Sequence, residues 1–234
     1  MALNDVPLPD SVFIQLPPGR DIVLEHHFRA DADRWRRELA IRQLPAPTGL
    51  LGVEGKTQIS RKDLFTFADL KPTPERALQL LYASLAWGLG LTGSYRAQRL
   101  DGLARDPDKA ADLLVSAWLH VRDGTDPQAC YESLITSHGA GRIRGNGPAF
   151  ATKLLYFAYG TKTPPRCLIL DSVVAEQLRD LGVWPRASTT GWPPGTYARY
   201  CDLTCRWADE ASVRTNRQVQ PDDVEYALYN LQPT

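Results

Sequence analysis

The sequence has no surplus of charge of either sign, its 27 Lys and Arg residues balancing 27 Asp and Glu residues. A general basic coat for nucleic acid is thereby excluded, and any nucleic-acid contact has to be local. No apolar run is long enough to span a bilayer, and residues 1–20 lack a secretory-leader pattern, so the expectation is a cytoplasmic protein with no membrane partner. Cysteine is scarce. Cys201 and Cys205 stand at i, i+4 spacing, but no second close pair and no nearby His completes a zinc site, so no metal or cofactor is expected and reduced thiols are the better reading. No internal repeat or low-complexity segment is evident.

One further absence points somewhere. From Ser133 to Leu170 there is no Asp or Glu, whereas Arg142, Arg144, Lys153, Lys162 and Arg166 all fall in this stretch. Inside it lies Ile143-Arg144-Gly145-Asn146-Gly147-Pro148. Glycine tolerates positive φ and close backbone approach, so a G-x-G turn can leave amide groups unpaired and facing outward as an anion nest. Pro148 suits the first position of a following helix, whose N-terminus carries partial positive charge. Both effects select a phosphate, held by Arg142, Arg144, Gly145, Asn146 and Gly147.

The helical segment Ala149-Phe150-Ala151-Thr152-Lys153-Leu154-Leu155-Tyr156-Phe157-Ala158-Tyr159 follows. Lys153 shares a face with Ala149 and Tyr156, while Phe150, Leu154 and Phe157 form the apolar stripe. After a Pro-containing loop, the run Leu168-Ile169-Leu170 ends in Asp171-Ser172-Val173-Val174, where Asp171 is placed to cap a helix.

Taken together, Gly145-Asn146-Gly147-Pro148-Ala149-Phe150-Ala151, Leu170-Asp171-Ser172-Val173-Val174 and Leu178-Arg179-Asp180-Leu181-Gly182 resemble the signature of the helix-hairpin-helix DNA glycosylases, over roughly residues 126 to 183. The helix Phe150–Tyr159 looks most like the 8-oxoguanine glycosylase branch and its archaeal relatives. That resemblance implies a mainly α, two-lobed fold with the active cleft between lobes. It implies Asp171 as the carboxylate that stabilises the sugar cation or activates the nucleophile. In family members that also cut the backbone as AP-lyases, a Schiff-base lysine lies in the hairpin or at the start of the second helix; the best-known eukaryotic position is Ala149 here, and Lys153 lies one turn later. Lys153 could therefore reach the cleft, contact a phosphate or pair with a carboxylate. In the archaeal relatives an acidic and an aromatic residue one turn apart on the last helix help hold the flipped base, and Glu225 and Tyr229 have that spacing. Some relatives carry an iron-sulfur cluster, and the cysteine spacing here does not match it.

The rest of the chain reads as follows. Residues 1–24 suggest an extended arm with a strand near Val12–Leu16, and Glu25–Gln43 suggests a helix with a solvated face of Arg29, Arg34, Arg36 and Arg37. Residues 44–74 look loop-rich. The domain expectation is an arm and linker over 1–74 packed on a helical body over 75–234, with the helix-hairpin-helix at about 126–160. Pro74-Glu75, Asp106-Pro107 and Asp126-Pro127 open core helices, and Pro221–Leu231 reads as a capped amphipathic helix, on which core packing with an exposed Glu225 is the alternative to a base contact.

The expected function is a DNA glycosylase that flips and excises a modified base from duplex DNA, either oxidised guanine in repair or a hypermodified phage base in antiphage defence. Two other readings stay open: a non-catalytic helix-hairpin-helix DNA-binding or adaptor module, and an enzyme acting on RNA or free nucleosides. No obligate protein partner is expected.

Overall fold

The computed structural model describes residues 6–91, 95–161, 165–184 and 188–231. Lys162, one of the cations of the acid-free stretch, lies outside them. The architecture is mainly α. Among the described residues the order is α1 (Asp10–Ile14), α2 (Arg20–Leu24), β1 (His27–Asp31), α3 (Ala32–Ile41), β2 (Lys56–Ser60), α4 (Arg61–Ala68), α5 (Pro74–Leu89), α6 (Arg96–Leu103), α7 (Pro107–Arg122), α8 (Pro127–Glu132), α9 (Pro148–Ala158), α10 (Ser172–Asp180), α11 (Pro194–Thr215) and α12 (Pro221–Tyr229). None of these helices is long and apolar enough to cross a membrane.

Helix starts are set where local chemistry sets them. Thr73 accepts from the Arg76 amide ahead of Pro74, Asp106 from the Lys109 amide ahead of Pro107, and Asp126 from the Gln128 and Ala129 amides beside Pro127. Helix α5 is apolar on nearly every face and lies at the centre, packed against α4, α7, α9 and β1. Helix α9 is buried from Ala151 to Ala158 and joins α5 to α4, α7 and α8. On the other side, α11 packs on α8 and α12, and α12 on α10, α1 and α2.

Three expectations for the N-terminal part are corrected. Residues near Val12–Leu16 form the short helix α1 rather than a strand, because Pro9 caps a turn that buries Val12. The segment read as one helix from Glu25 begins as strand β1, and the loop-rich stretch contains β2 and α4. The two strands pair antiparallel, His27 opposite Ser60 and Asp31 opposite Lys56, burying Ala30 and Ile59. Each strand ends in its own helix cap, Asp31 accepting from the Arg34 amide and Ser60 exchanging bonds with Asp63.

On α12 the alternative of an exposed Glu225 is not what the structure takes. Glu225 is 1 % exposed and pairs with the fully buried Arg61 at 2.6 Å. Tyr156 donates to Asp222 at 2.7 Å, and Arg20 reaches both Asp222 and Asp223. Residues 20 and 61 are thereby tied to the last helix through charge.

The hairpin between α8 and α9 is docked on α6 backbone to backbone. A Cβ on Gly102 would stand 1.6 Å from the Arg144 carbonyl oxygen, and one on Gly145, whose φ is +79°, would stand 2.7 Å from the Gln98 carbonyl oxygen. Side chains cannot fit there without moving the hairpin. Gly147 differs: its φ is −82° and a Cβ would meet nothing within 4 Å. Gly102→Ala should therefore cost about 1–3 kcal/mol, as overpacking does, while Gly147→Ala should stay within about 0.5 kcal/mol. Urea unfolding of both variants checks this, and equal effects would contradict the docking described.

Candidate active site

The apolar run before Asp171 is buried but, among the described residues, pairs with no strand. Its carbonyls accept from hydroxyls instead: Leu168 from Tyr197 at 2.9 Å and Ile169 from Tyr200 at 2.7 Å, both on α11. The Thr152 hydroxyl of α9 accepts from the Leu170 amide at 3.2 Å and lies 3.0 Å from the Leu170 carbonyl oxygen. Buried peptide groups have to be satisfied somehow, and this solution places Asp171 at the start of α10. Asp171 Oδ1 caps α10 through the Val174 amide at 3.2 Å.

Asp171 Oδ2 accepts a hydrogen bond from Lys153 Nζ at 2.7 Å, and the two side chains are 16 % and 6 % exposed. Of the positions open to Lys153, the structure takes the one paired with the carboxylate. Gly88 makes room for the lysine stem, since a Cβ there would stand 3.0 Å from Lys153 Cδ. Burial alone would raise the Asp171 carboxyl pKa. The Lys153 charge, its hydrogen bond and the Val174 and Val173 amides outweigh burial and hold it below the ordinary carboxylate range.

Ser172, the residue after Asp171, lines a depression of about 160 Å³ together with Gly147, Pro148 and Ala149 at the start of α9 and with Arg99 and Trp192; Lys153 and Asp171 themselves do not line it. Two helix N-termini thus open on one concavity. Among the described residues the amides of Gly145, Gly147 and Ala149 donate to no other group of the chain, whereas the Asn146 amide is used by Ile143. Another cavity, of about 690 Å³, shares no residue with this site. It lies over β2 and α4, with Glu25, His27, Lys62 and Asp63 on its walls.

The other sequence candidates divide into two groups. Arg144 is exposed, and Arg142 is exposed with its Nε turned back onto the Glu132 carbonyl at 3.1 Å. Asn146 is buried and donates to the Arg99 carbonyl at 3.3 Å, which fastens the hairpin to α6. Arg99 in turn donates to the Gly145 carbonyl at 2.6 Å and lies over the Phe150 ring. Glu225 faces Arg61, while Tyr229 belongs to a half-buried aromatic cluster: His26–Tyr229 5.6 Å, His26–Trp87 5.3 Å, Phe28–Trp87 5.0 Å between ring centroids. Trp87 immediately precedes Gly88, the α5 residue against which the Lys153 stem lies. Burial, with the nearby Arg61 and His27 charges, lowers the His26 pKa to about 3, and its Nδ1 has no partner.

A family model described as "Putative 8-oxoguanine DNA glycosylase OGG-like protein" matches residues 21–229. The chain belongs to this family. No curated protein and no solved structure matches it. The match begins well before the helix-hairpin-helix, so the strands, α4 and the His26 cluster fall within the family's span.

Sequence reading missed Arg99, His26, Phe28 and the hydroxyls of Thr152, Tyr197 and Tyr200. For the two tyrosines a signal was present: at i, i+3 on one face of a core helix, both need acceptors in the interior. For His26 and Phe28 there was none, because their neighbours are distant in sequence.

Replacing Lys153 by Met would leave Asp171 buried without its cation, at a cost of roughly 3 kcal/mol when ionised. The sign with pH follows. In the native chain the folded pKa of Asp171 is below its unfolded value, so its stabilisation is present above the unfolded value of about 3.9 and is lost as pH falls through the lower folded value. In Lys153→Met burial dominates and raises the folded pKa, so the deficit relative to the native chain should be larger at pH 7 than at pH 4. Urea unfolding at the two pH values measures it; a deficit independent of pH would show that the pair carries no charge coupling.

Proposed function

We propose that this protein is a DNA N-glycosylase that excises a modified base, oxidised guanine in the first instance, from duplex DNA. The observation that carries the reading is the Lys153–Asp171 pair at 2.7 Å, with Ser172, the residue after Asp171, lining a depression onto which two helix N-termini open. Family membership supports it. Residues 1–74 serve as an arm and linker on the body of residues 75–234.

The bond between base and sugar is inaccessible in a duplex, so the nucleotide has to leave the stack. The free amides of Gly145, Gly147 and Ala149 hold backbone phosphate without reading sequence, and Arg142 and Arg144 add charge from outside. The extruded base enters beside the half-buried Tyr229 and Phe28, which the buried Trp87 backs, with His26 available as a neutral donor and acceptor. Glu225 supports this pocket from below through Arg61.

As the bond to the base breaks, positive charge develops at C1′. Asp171, held ionised, stabilises that charge. Lys153, after giving up a proton to solvent, attacks C1′ while the base departs with the bonding pair and takes up a proton from solvent. Opening of the bond between C1′ and the ring oxygen, with a proton taken up by that oxygen, turns the adduct into a Schiff base. That intermediate is what permits backbone cleavage.

Asp171→Asn keeps a helix-capping side chain but removes the charge. Its rate of base release from oxidised duplex DNA, read by mass spectrometry, should fall by about 10²-fold or more, with unchanged far-UV circular dichroism. An unimpaired variant would refute the assignment. Borohydride should trap a covalent adduct with the native chain and none with Lys153→Gln. Base release without a trapped adduct would make water the nucleophile, and no release from any modified DNA, with binding intact, would leave a DNA-binding module.

A further inference from the structure

A second concavity, of about 260 Å³, lies where the turn between α6 and α7 meets the hairpin, and it shares no residue with the depression at Gly147. Arg105, Lys109, Arg142 and Arg144 line it, over a floor that includes Leu113 and Ile143. All four cations are exposed. Among the described residues Arg105, Lys109 and Arg144 make no ion pair or hydrogen bond through their side chains, and Arg142 uses only its Nε, on backbone carbonyls. The single acid in the lining is Asp106, which is spent on capping α7 through the Lys109 amide at 3.2 Å.

We propose that this pocket binds a second backbone phosphate of the DNA, so that the duplex is gripped on both sides of the hairpin. The proposal rests on the DNA reading above and adds two residues, Arg105 and Lys109, that lie outside the helix-hairpin-helix pattern. Four converging cations in a chain of zero net charge form a local excess, and two guanidiniums and an ammonium without partners are donors waiting for an acceptor. The pocket is held in shape by the contact of Gly102 against the Arg144 carbonyl, so these charges do not depend on a floppy loop. Its spacing also suits one strand. Arg144 and Gly147 are three residues apart, at most about 10 Å, and phosphates of one strand recur at about 3.4 Å along the helix axis. The two sites are therefore within roughly three phosphate steps of each other.

The test uses the full chain with the double variant Arg105→Gln, Lys109→Gln and the charge-preserving double variant Arg105→Lys, Lys109→Arg. Binding of unmodified duplex DNA is measured by fluorescence anisotropy over a salt series. The expected result for the neutral variant is about tenfold weaker binding at 0.1 M salt and a slope of log affinity against log salt shallower by about 1 to 2. The charge-preserving variant should retain the native slope, and both should melt at the native temperature. Native affinity and slope in the neutral variant would overturn the proposal, even where Gly147→Ala weakens binding and the hairpin reading stands. Duplex binding that depends on Arg105 and Lys109, in a chain that releases no base, would support the pocket while removing the enzymatic reading. Binding of a poly-glutamate peptide in place of duplex would assign the pocket to a protein partner and overturn it.

Discussion

Three consecutive carbonyls, those of Leu168, Ile169 and Leu170, lie in the core without a neighbouring strand, and three hydroxyls from α9 and α11 take up the role a sheet would have played. Leaving such groups unpaired costs about 1–3 kcal/mol each, so the segment has little freedom to shift. Asp171 is the next residue. Its position is fixed jointly by a helix that comes before it in the chain and one that comes after, and the same α9 that supplies Thr152 supplies Lys153 one residue later. The carboxylate and the amine are thus registered against each other by the hydrogen bonds of the backbone between them.

Two buried charge systems operate on different principles. Asp171, paired with Lys153, adjoins Ser172 of the concavity, and the carboxylate is kept ionised by its partner and by amides. Arg61 and Glu225 are sealed in the core, where burial raises the Glu225 pKa against the pull of Arg61. The guanidinium lies 5.3 to 5.8 Å from the centroids of Trp87, Tyr156 and Tyr226, and its Nε and Nη2 have no partner. That second system joins α4 and α12, and the positive charge at its centre helps keep His26 neutral. The imidazole of the aromatic cluster is thereby kept uncharged.

Much of this was legible in the sequence wherever a local rule decides. The Thr-Pro and Asp-Pro helix starts, the glycine hairpin and the capping Asp171 are all set within four residues, and each occurs where its pattern indicates. What was not legible depends on partners far away. Five-residue strands with mixed charge, such as His27–Asp31, carry too weak an alternation to be separated from the helix that follows. The burial of Glu225 depends on Arg61, 164 positions earlier. Gly147 shows the opposite error, because its sequence context suggested a positive φ and its backbone is ordinary; of the two glycines of the G-x-G turn, Gly145 has the positive φ.

The seating of the hairpin on α6 has a consequence for what kind of unit it is. With the Arg144 carbonyl set against Gly102, the Gly145 carbonyl held by Arg99 and Asn146 bonded back to the Arg99 carbonyl, the turn owes its shape to a helix that ends some forty residues earlier in the chain. Residues 127–158 alone would carry the glycines without the surface that moulds them. This hairpin is not a portable cassette, and exchanging it between scaffolds would require α6 to travel with it.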